Sequence, residues 1–130
     1  MEAEGNVVRF TLGGVLFEYD SEKNRKNIEK HGISFRSAAR VFFDYDRIEF
    51  YDEAHSRDED RYDTIGDTSA GNLTVIGNLQ DIYRVDDILF VVYTERAVVD
   101  ETGDPREVIR LISARLATSF ERGVYYGKRG

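Results

Sequence analysis

The hydrophobic period of this chain changes at Phe43. Ahead of it Phe35, Ala38, Ala39 and Phe42 recur at the i, i+3, i+4, i+7 spacing of one buried helical face. Behind it the pattern turns to short segments rich in β-branched and aromatic residues, at 47–51, 61–65, 73–79, 88–95 and 108–113, with turn residues between them. A helical block followed by a run of strands predicts an α+β fold built on a mainly antiparallel sheet.

The remaining punctuation fills in that plan. Val7–Leu12 and residues 15–19 flank Gly13-Gly14, which supply the positive φ angles of a two-residue hairpin turn, so the chain opens with a hairpin. Asp20 or Ser21 then caps a helix running to about Lys30, with Gly32 one step past its end and His31 in its last turn. Ser34 caps a second helix, and the two are expected to pack as a helical hairpin. Residues 100–106 hold the one proline and Gly103, and read as an exposed connection between the last two strands. Thr118-Ser119-Phe120-Glu121 matches the Thr-x-x-Glu capping box and starts a short C-terminal helix, to about Tyr126. With 130 residues and no linker or internal repeat, residues 1–130 are expected to form a single domain.

Composition removes several function classes. The absence of cysteine excludes disulfides, thiol catalysis and cysteine-ligated zinc. The longest apolar run, 88–93, falls far below the ~20 residues that span a bilayer, and the first twenty residues lack the basic start and apolar stretch of a secretory signal, so a cytoplasmic location is expected. A formal charge of −7 opposes nucleic-acid binding, which depends mainly on cations that displace counterions. Yet 14 of the 18 basic residues are arginine, whose planar fork suits phosphate, and the acids concentrate in 44–63 and 100–107, which read as solvated loops. A local basic pocket is compatible with that balance.

The chemistry-bearing residues are few. His31, one of two histidines, titrates near neutrality and can both take and give a proton. Arg61, Arg96, Arg110 and Arg115 stand at strand ends, where they form a phosphate clamp or else pair with surface carboxylates. A histidine with several cations is sufficient to cleave RNA, because the 2′-hydroxyl serves as the nucleophile and arginines stabilise the charge gathering on the phosphoryl oxygens. Asp52-Glu53-x-His55 with Asp58-Glu59-Asp60 fits no defined metal spacing and reads as a solvated acidic loop. Gly13-Gly14 and Gly71 lack a phosphate-loop context, and no metal or cofactor is expected. Tyr45, Phe50, Tyr51 and Tyr62 sit at strand spacing and are assigned to core packing rather than base stacking.

Several strings then act together. Phe17-Glu18-Tyr19-Asp20, Lys23, Asn27, Lys30-His31-Gly32-Ile33-Ser34-Phe35, Ala39 and Val41-Phe42 resemble the first half of the BrnT family of bacterial toxins. Arg61-Tyr62-Asp63-Thr64-Ile65-Gly66, Val91-Val92-Tyr93-Thr94-Glu95-Arg96 and Ile109-Arg110-Leu111-Ile112-Ser113-Ala114-Arg115, with Ala117-Thr118, Glu121-Arg122 and Tyr125, resemble the second. The resemblance implies a RelE-like fold and a ribonuclease that halts translation by cleaving RNA. It also implies a BrnA-like ribbon-helix-helix antitoxin as partner, with DNA bound only through that antitoxin. Carried over by position, it points to Lys30, His31, Arg61, Arg96 and Arg115 as active-site candidates. Three departures stand out: Tyr19 replaces a frequent tryptophan, residues 68–87 are extra, an insertion with room for an edge strand at 73–79, and the net charge is acidic for a protein that holds RNA.

Two functions from different classes follow. One is a metal-independent endoribonuclease toxin of a type II toxin-antitoxin system. The other, favoured by the acidic charge, is a catalytically inactive module of the same fold that binds an antitoxin and tunes its repression. Growth on induced expression separates them.

Overall fold

The structure, a computed structural model, describes residues 5–69 and 85–129. Strands β1 (Val7–Leu12) and β2 (Val15–Asp20) form the opening hairpin, and Gly13 and Gly14 turn it at φ 54° and 80°. Both angles lie where a side chain is strained and glycine is not. Helix α1 (Ser21–His31) begins at Asp20, whose carboxylate accepts from the Lys23 amide at 2.9 Å, and ends at Gly32 with φ 72°. The hairpin, the cap and the stop all stand where the sequence puts them.

The second helix differs from its expectation. Ser34 does cap it, accepting from the Ser37 amide at 3.1 Å, but α2 (Phe35–Ala38) makes a single turn before the chain tightens into a 3-10 helix at Ala39–Phe43. Ala39, Arg40 and Val41 are all buried, so this segment is enclosed on several sides and a one-faced helical period does not describe it. The main contacts of α1 go to β6 and β2 rather than to α2, while α2 touches the 3-10 segment that follows it and β6, and the 3-10 segment rests on β4. Gly66 permits the last approach: a Cβ there would stand 3.0 Å from Val41 Cβ and 3.2 Å from its carbonyl oxygen.

Strands β3 (Ile48–Tyr51), β4 (Tyr62–Asp67), β5 (Ile88–Val99) and β6 (Pro105–Leu116) complete a six-stranded sheet of order β1-β2-β6-β5-β4-β3. Every neighbouring pair is antiparallel except β2 with β6. β5 and β6 outrun their apolar stretches, since their charged ends still pair backbone to backbone as far as Val99 and Pro105. The turn between them is held by Asp100, whose carboxylate accepts from the amides of Thr102 and Asp104. The expected strand at 73–79 lies outside the described residues.

Helix α3 (Ser119–Arg129) starts with the capping box as drawn from sequence: the Thr118 amide donates to Glu121 Oε1 at 2.8 Å and the Glu121 amide to Thr118 Oγ1 at 3.1 Å. It runs three residues beyond the expected end. Tyr125, fully buried, anchors it by donating its hydroxyl to Asp44 at 2.6 Å.

The main core lies between one face of the sheet and the segment 33–43, around Phe17, Phe35, Val91, Leu111 and Ala114. Truncating Phe17 or Phe35 to alanine there costs about 3–5 kcal/mol. A smaller cluster of Ile65, Ile88, Ala117 and Tyr125 lies with α3. Core packing of the strand aromatics is corrected for three of four: Tyr45 is 97% exposed, Tyr51 49% and Phe50 41%. Tyr45 lies in the turn before β3, and Phe50 and Tyr51 lie on β3, the last strand of the sheet. Among the described residues no helix is long and apolar enough to cross a membrane.

Candidate active site

Asn27 fixes the position of His31. β2 pairs with β6 only at Phe17 with Ile109 and Glu18 with Arg110, so the edge of β6 beyond them needs other partners. The Asn27 amide group donates to Ala114 O at 2.9 Å and its oxygen accepts from Ala114 N at 3.1 Å, the two bonds a neighbouring strand would make. A third bond, to Ile33 O at 2.9 Å, ties the same side chain to the loop after the helix. The C-terminal turn of α1, with Lys30 and His31, is thereby held beside Ile112 and Ser113, and Lys23, Lys26, Lys30 and His31 line a groove of about 240 Å³ with them. Burial, then the charges of Lys30 and Arg115, holds the His31 imidazole below its ordinary value. That direction favours the uncharged form of the ring.

Arg115 is fixed from two sides. Its guanidinium lies 4.2 Å from the centroid of the Phe90 ring and makes a two-pronged bond to Glu121, at 2.7 and 2.9 Å. Glu121 is also the acid of the capping box, so the start of α3 and the orientation of Arg115 depend on one carboxylate. The hydrogen bonds of Glu121 keep the guanidinium above its ordinary value and permanently charged. Arg115 and Arg61 line a cavity of about 450 Å³ together with Phe90, Asp52, His55 and Asp63. Ile112 and Ser113 line both this cavity and the His31 groove, so the two adjoin.

The loop read as a solvated acidic run contributes structure to this cavity. Asp52 caps a 3-10 turn, Glu53–His55, and its carboxylate approaches His55 Nδ1 at 2.9 and 3.0 Å. Burial disfavours the Asp52 charge, but its hydrogen bonds to His55 outweigh that and lower its pKa. Asp63 is the opposite case. Burial, then the neighbouring Asp52 charge, pushes it up to about 6, and its Oδ1 has no hydrogen-bond partner among the described residues. The solvated reading is therefore corrected for Asp52, while the His55 ring remains exposed. An Asp-x-x-His spacing at a turn was the available signal, since it is the geometry in which a capping carboxylate also meets the histidine ring.

Arg96 stands elsewhere. Glu18, wholly buried, receives Arg9 at 3.1 Å, Arg96 at 2.8 Å and Arg110 at 2.6 Å. Burial opposes its charge, yet the bonds from Arg110 and Arg9 and the charge of Arg96 hold its pKa down. Phe90 and Arg96 lie on one face of β5 by alternation, but the strand rise separates them by roughly 20 Å. The expectation that one phosphate meets both Arg96 and Arg115 is thus corrected: Lys30 and His31 adjoin the Arg61 and Arg115 cavity, and Arg96 belongs to a second cationic cluster further along the sheet.

A lysine-lined groove and a cavity lined by two arginines thus adjoin on one sheet. The family model for the ribonuclease toxin BrnT of type II toxin-antitoxin systems matches residues 19–85. The chain belongs to that family. The matched span includes Lys30, His31, Asp52, His55 and Arg61, and stops before Arg96 and Arg115. No curated protein matches the chain.

Proposed function

We propose that this RelE-like toxin is an endoribonuclease that arrests translation by cutting RNA in the cavity bounded by Arg61 and Arg115, without a metal ion. The observation that carries the reading is the presence of two arginines on one cavity whose neighbouring groove is lined by His31. Arg61 and Arg115 take the scissile phosphate, His31 removes the 2′-hydroxyl proton, and Lys30 contacts the adjoining backbone. Arg96 contacts a phosphate further along the strand. Exposed Phe50, its ring 6.1 Å from that of Phe90, offers a stacking surface for a base. The reading assigns charge stabilisation to Arg61 and Arg115, which line the cavity.

The partner in this reading is a BrnA-like ribbon-helix-helix antitoxin that covers the cationic face and alone supplies DNA contacts. Opposite charges make that association fast and salt-sensitive. Induced expression should arrest growth and cut RNA, co-expression of the antitoxin should restore growth, and the purified chain should cleave RNA in EDTA. Restoration of cleavage only by a divalent ion would refute the metal-free mechanism.

The alternative is a catalytically inactive module that binds the antitoxin and tunes its repression. Its support is the occupation of Arg115 by Glu121 and of Arg96 by Glu18, added to the net charge of −7. Unimpaired growth with intact RNA, alongside tight antitoxin binding, would favour it.

A further inference from the structure

We propose that His55 is the general acid of the cleavage, donating its Nε2 proton to the 5′-oxygen as that oxygen leaves phosphorus, with Asp52 as its positioning residue. The inference rests on the ribonuclease reading above. In-line displacement puts the attacking and leaving oxygens on opposite sides of phosphorus, so a base that serves one is badly placed to serve the other. The chain has two histidines, and the fold sets His31 in the groove and His55 in the cavity, which adjoin along Ile112 and Ser113. A phosphate on Arg61 and Arg115 is thus flanked by both imidazoles.

The local geometry suits a proton donor. Nδ1 is engaged by the Asp52 carboxylate, which leaves Nε2 for the substrate, and the ring is 69% exposed while Asp52 is 13% exposed. The turn that carries it is knitted to the sheet: Asp52 N donates to Arg61 O at 2.9 Å, Ser56 Oγ to Asp52 O at 2.6 Å, and Arg61 N to Ser56 Oγ at 2.9 Å. Around the ring stand Asp52 from its own turn, Arg61 and Asp63 from the entry and body of β4, Arg115 from β6, and Arg57, Asp58 and Glu59 from the loop. A carboxylate on one ring nitrogen stabilises an imidazolium and fixes its orientation.

The proton inventory closes. Neutral His31 takes the 2′-hydroxyl proton, the 2′-oxygen bonds to phosphorus, the bond from phosphorus to the 5′-oxygen breaks, and that oxygen receives the His55 proton. The products are a 2′,3′-cyclic phosphate and a 5′-hydroxyl, and solvent returns each imidazole to its starting state.

The test uses an RNA oligonucleotide containing a linkage that the wild-type protein cuts, and its twin with sulfur in place of the bridging 5′-oxygen. A thiolate leaves without protonation. His55→Ala should slow cleavage of the oxygen substrate by about 10²–10⁴-fold and cut the sulfur substrate within about tenfold of wild type. His31→Ala should be slow on both. Asp52→Asn should show a smaller loss, rescued by sulfur in the same way, and thermal unfolding should show that each variant is folded; His55→Gln serves if His55→Ala is not. Wild-type speed of the His55 variant on the oxygen substrate would overturn the assignment, as would an equal loss on both substrates. A wild-type protein that cuts no RNA, free or ribosome-bound, would instead overturn the ribonuclease reading and this assignment with it.

Discussion

The arginines of this sheet divide into two clusters that share a residue type and differ in what faces them. Around Glu18, three guanidiniums converge on one wholly buried carboxylate, so a substantial part of their bonding capacity is spent inside the protein. In the cavity, Arg115 is braced by Glu121 and the Phe90 ring, and Arg61 has no carboxylate partner among the described residues. Two histidines adjoin the second cluster and none the first. The lesson is that a cation becomes a catalytic candidate through its neighbours, when it is charged, held still and beside a group able to move a proton. The Glu18 cluster instead joins β2 to β6 and β5 across the short parallel pairing of the hairpin.

The comparison breaks first at Arg115. Arg115→Ala should lower the cleavage rate by about 10²–10³-fold, equivalent to roughly 2.7–4 kcal/mol of transition-state stabilisation, with the α3 start only modestly weakened. Cleavage at the wild-type rate, measured on a labelled RNA, would remove the cavity from consideration. Glu18→Gln should behave in reverse. Loss of a buried charge partner should cost about 2–3 kcal/mol in denaturant unfolding, while the folded fraction keeps its cleavage rate.

Asp63 gives a smaller effect with a definite sign. Its folded-state pKa is raised to about 6, so the stability it contributes is full below its unfolded value and is lost as pH rises through about 6. Asp63→Asn should therefore remove a fall in stability of roughly 1–2 kcal/mol between pH 4 and pH 7, read from unfolding midpoints. A wild-type and variant pair with parallel pH profiles would contradict the buried, charge-crowded carboxyl. The smallest effect is expected at Arg96. Arg96→Ala should weaken RNA binding by about tenfold or less and reduce its salt dependence by about one phosphate contact, with kcat nearly unchanged. A loss as deep as that of Arg115→Ala would merge the two clusters into one site.

Local chemistry was legible wherever a residue answers to its chain neighbours. The Gly13-Gly14 turn, the Asp20 and Ser34 caps, the Gly32 stop and the Thr118 to Glu121 box all appear where the sequence puts them, because each is closed by atoms within four residues. The positions of Lys30 and His31 at the helix end follow from the same signals. Arg40 shows the other case. It is wholly buried, with bonds to Ser37, the carbonyls of Thr68 and Val85, and the Asp86 carboxylate, and so ties Thr68 to Val85 and Asp86. Nothing in its helical spacing separates it from a surface arginine.

By itself, then, the sequence determined the α+β class, the element starts and stops, the family resemblance and the residue types available for phosphate chemistry. Tertiary structure alone decided which of them meet. Asn27 completes the edge of β6, and Glu18 holds Arg96 away from Arg115. The physical reason is range: caps and turns are satisfied within a few residues, whereas these partners lie up to 87 positions apart and are chosen by strand register and burial.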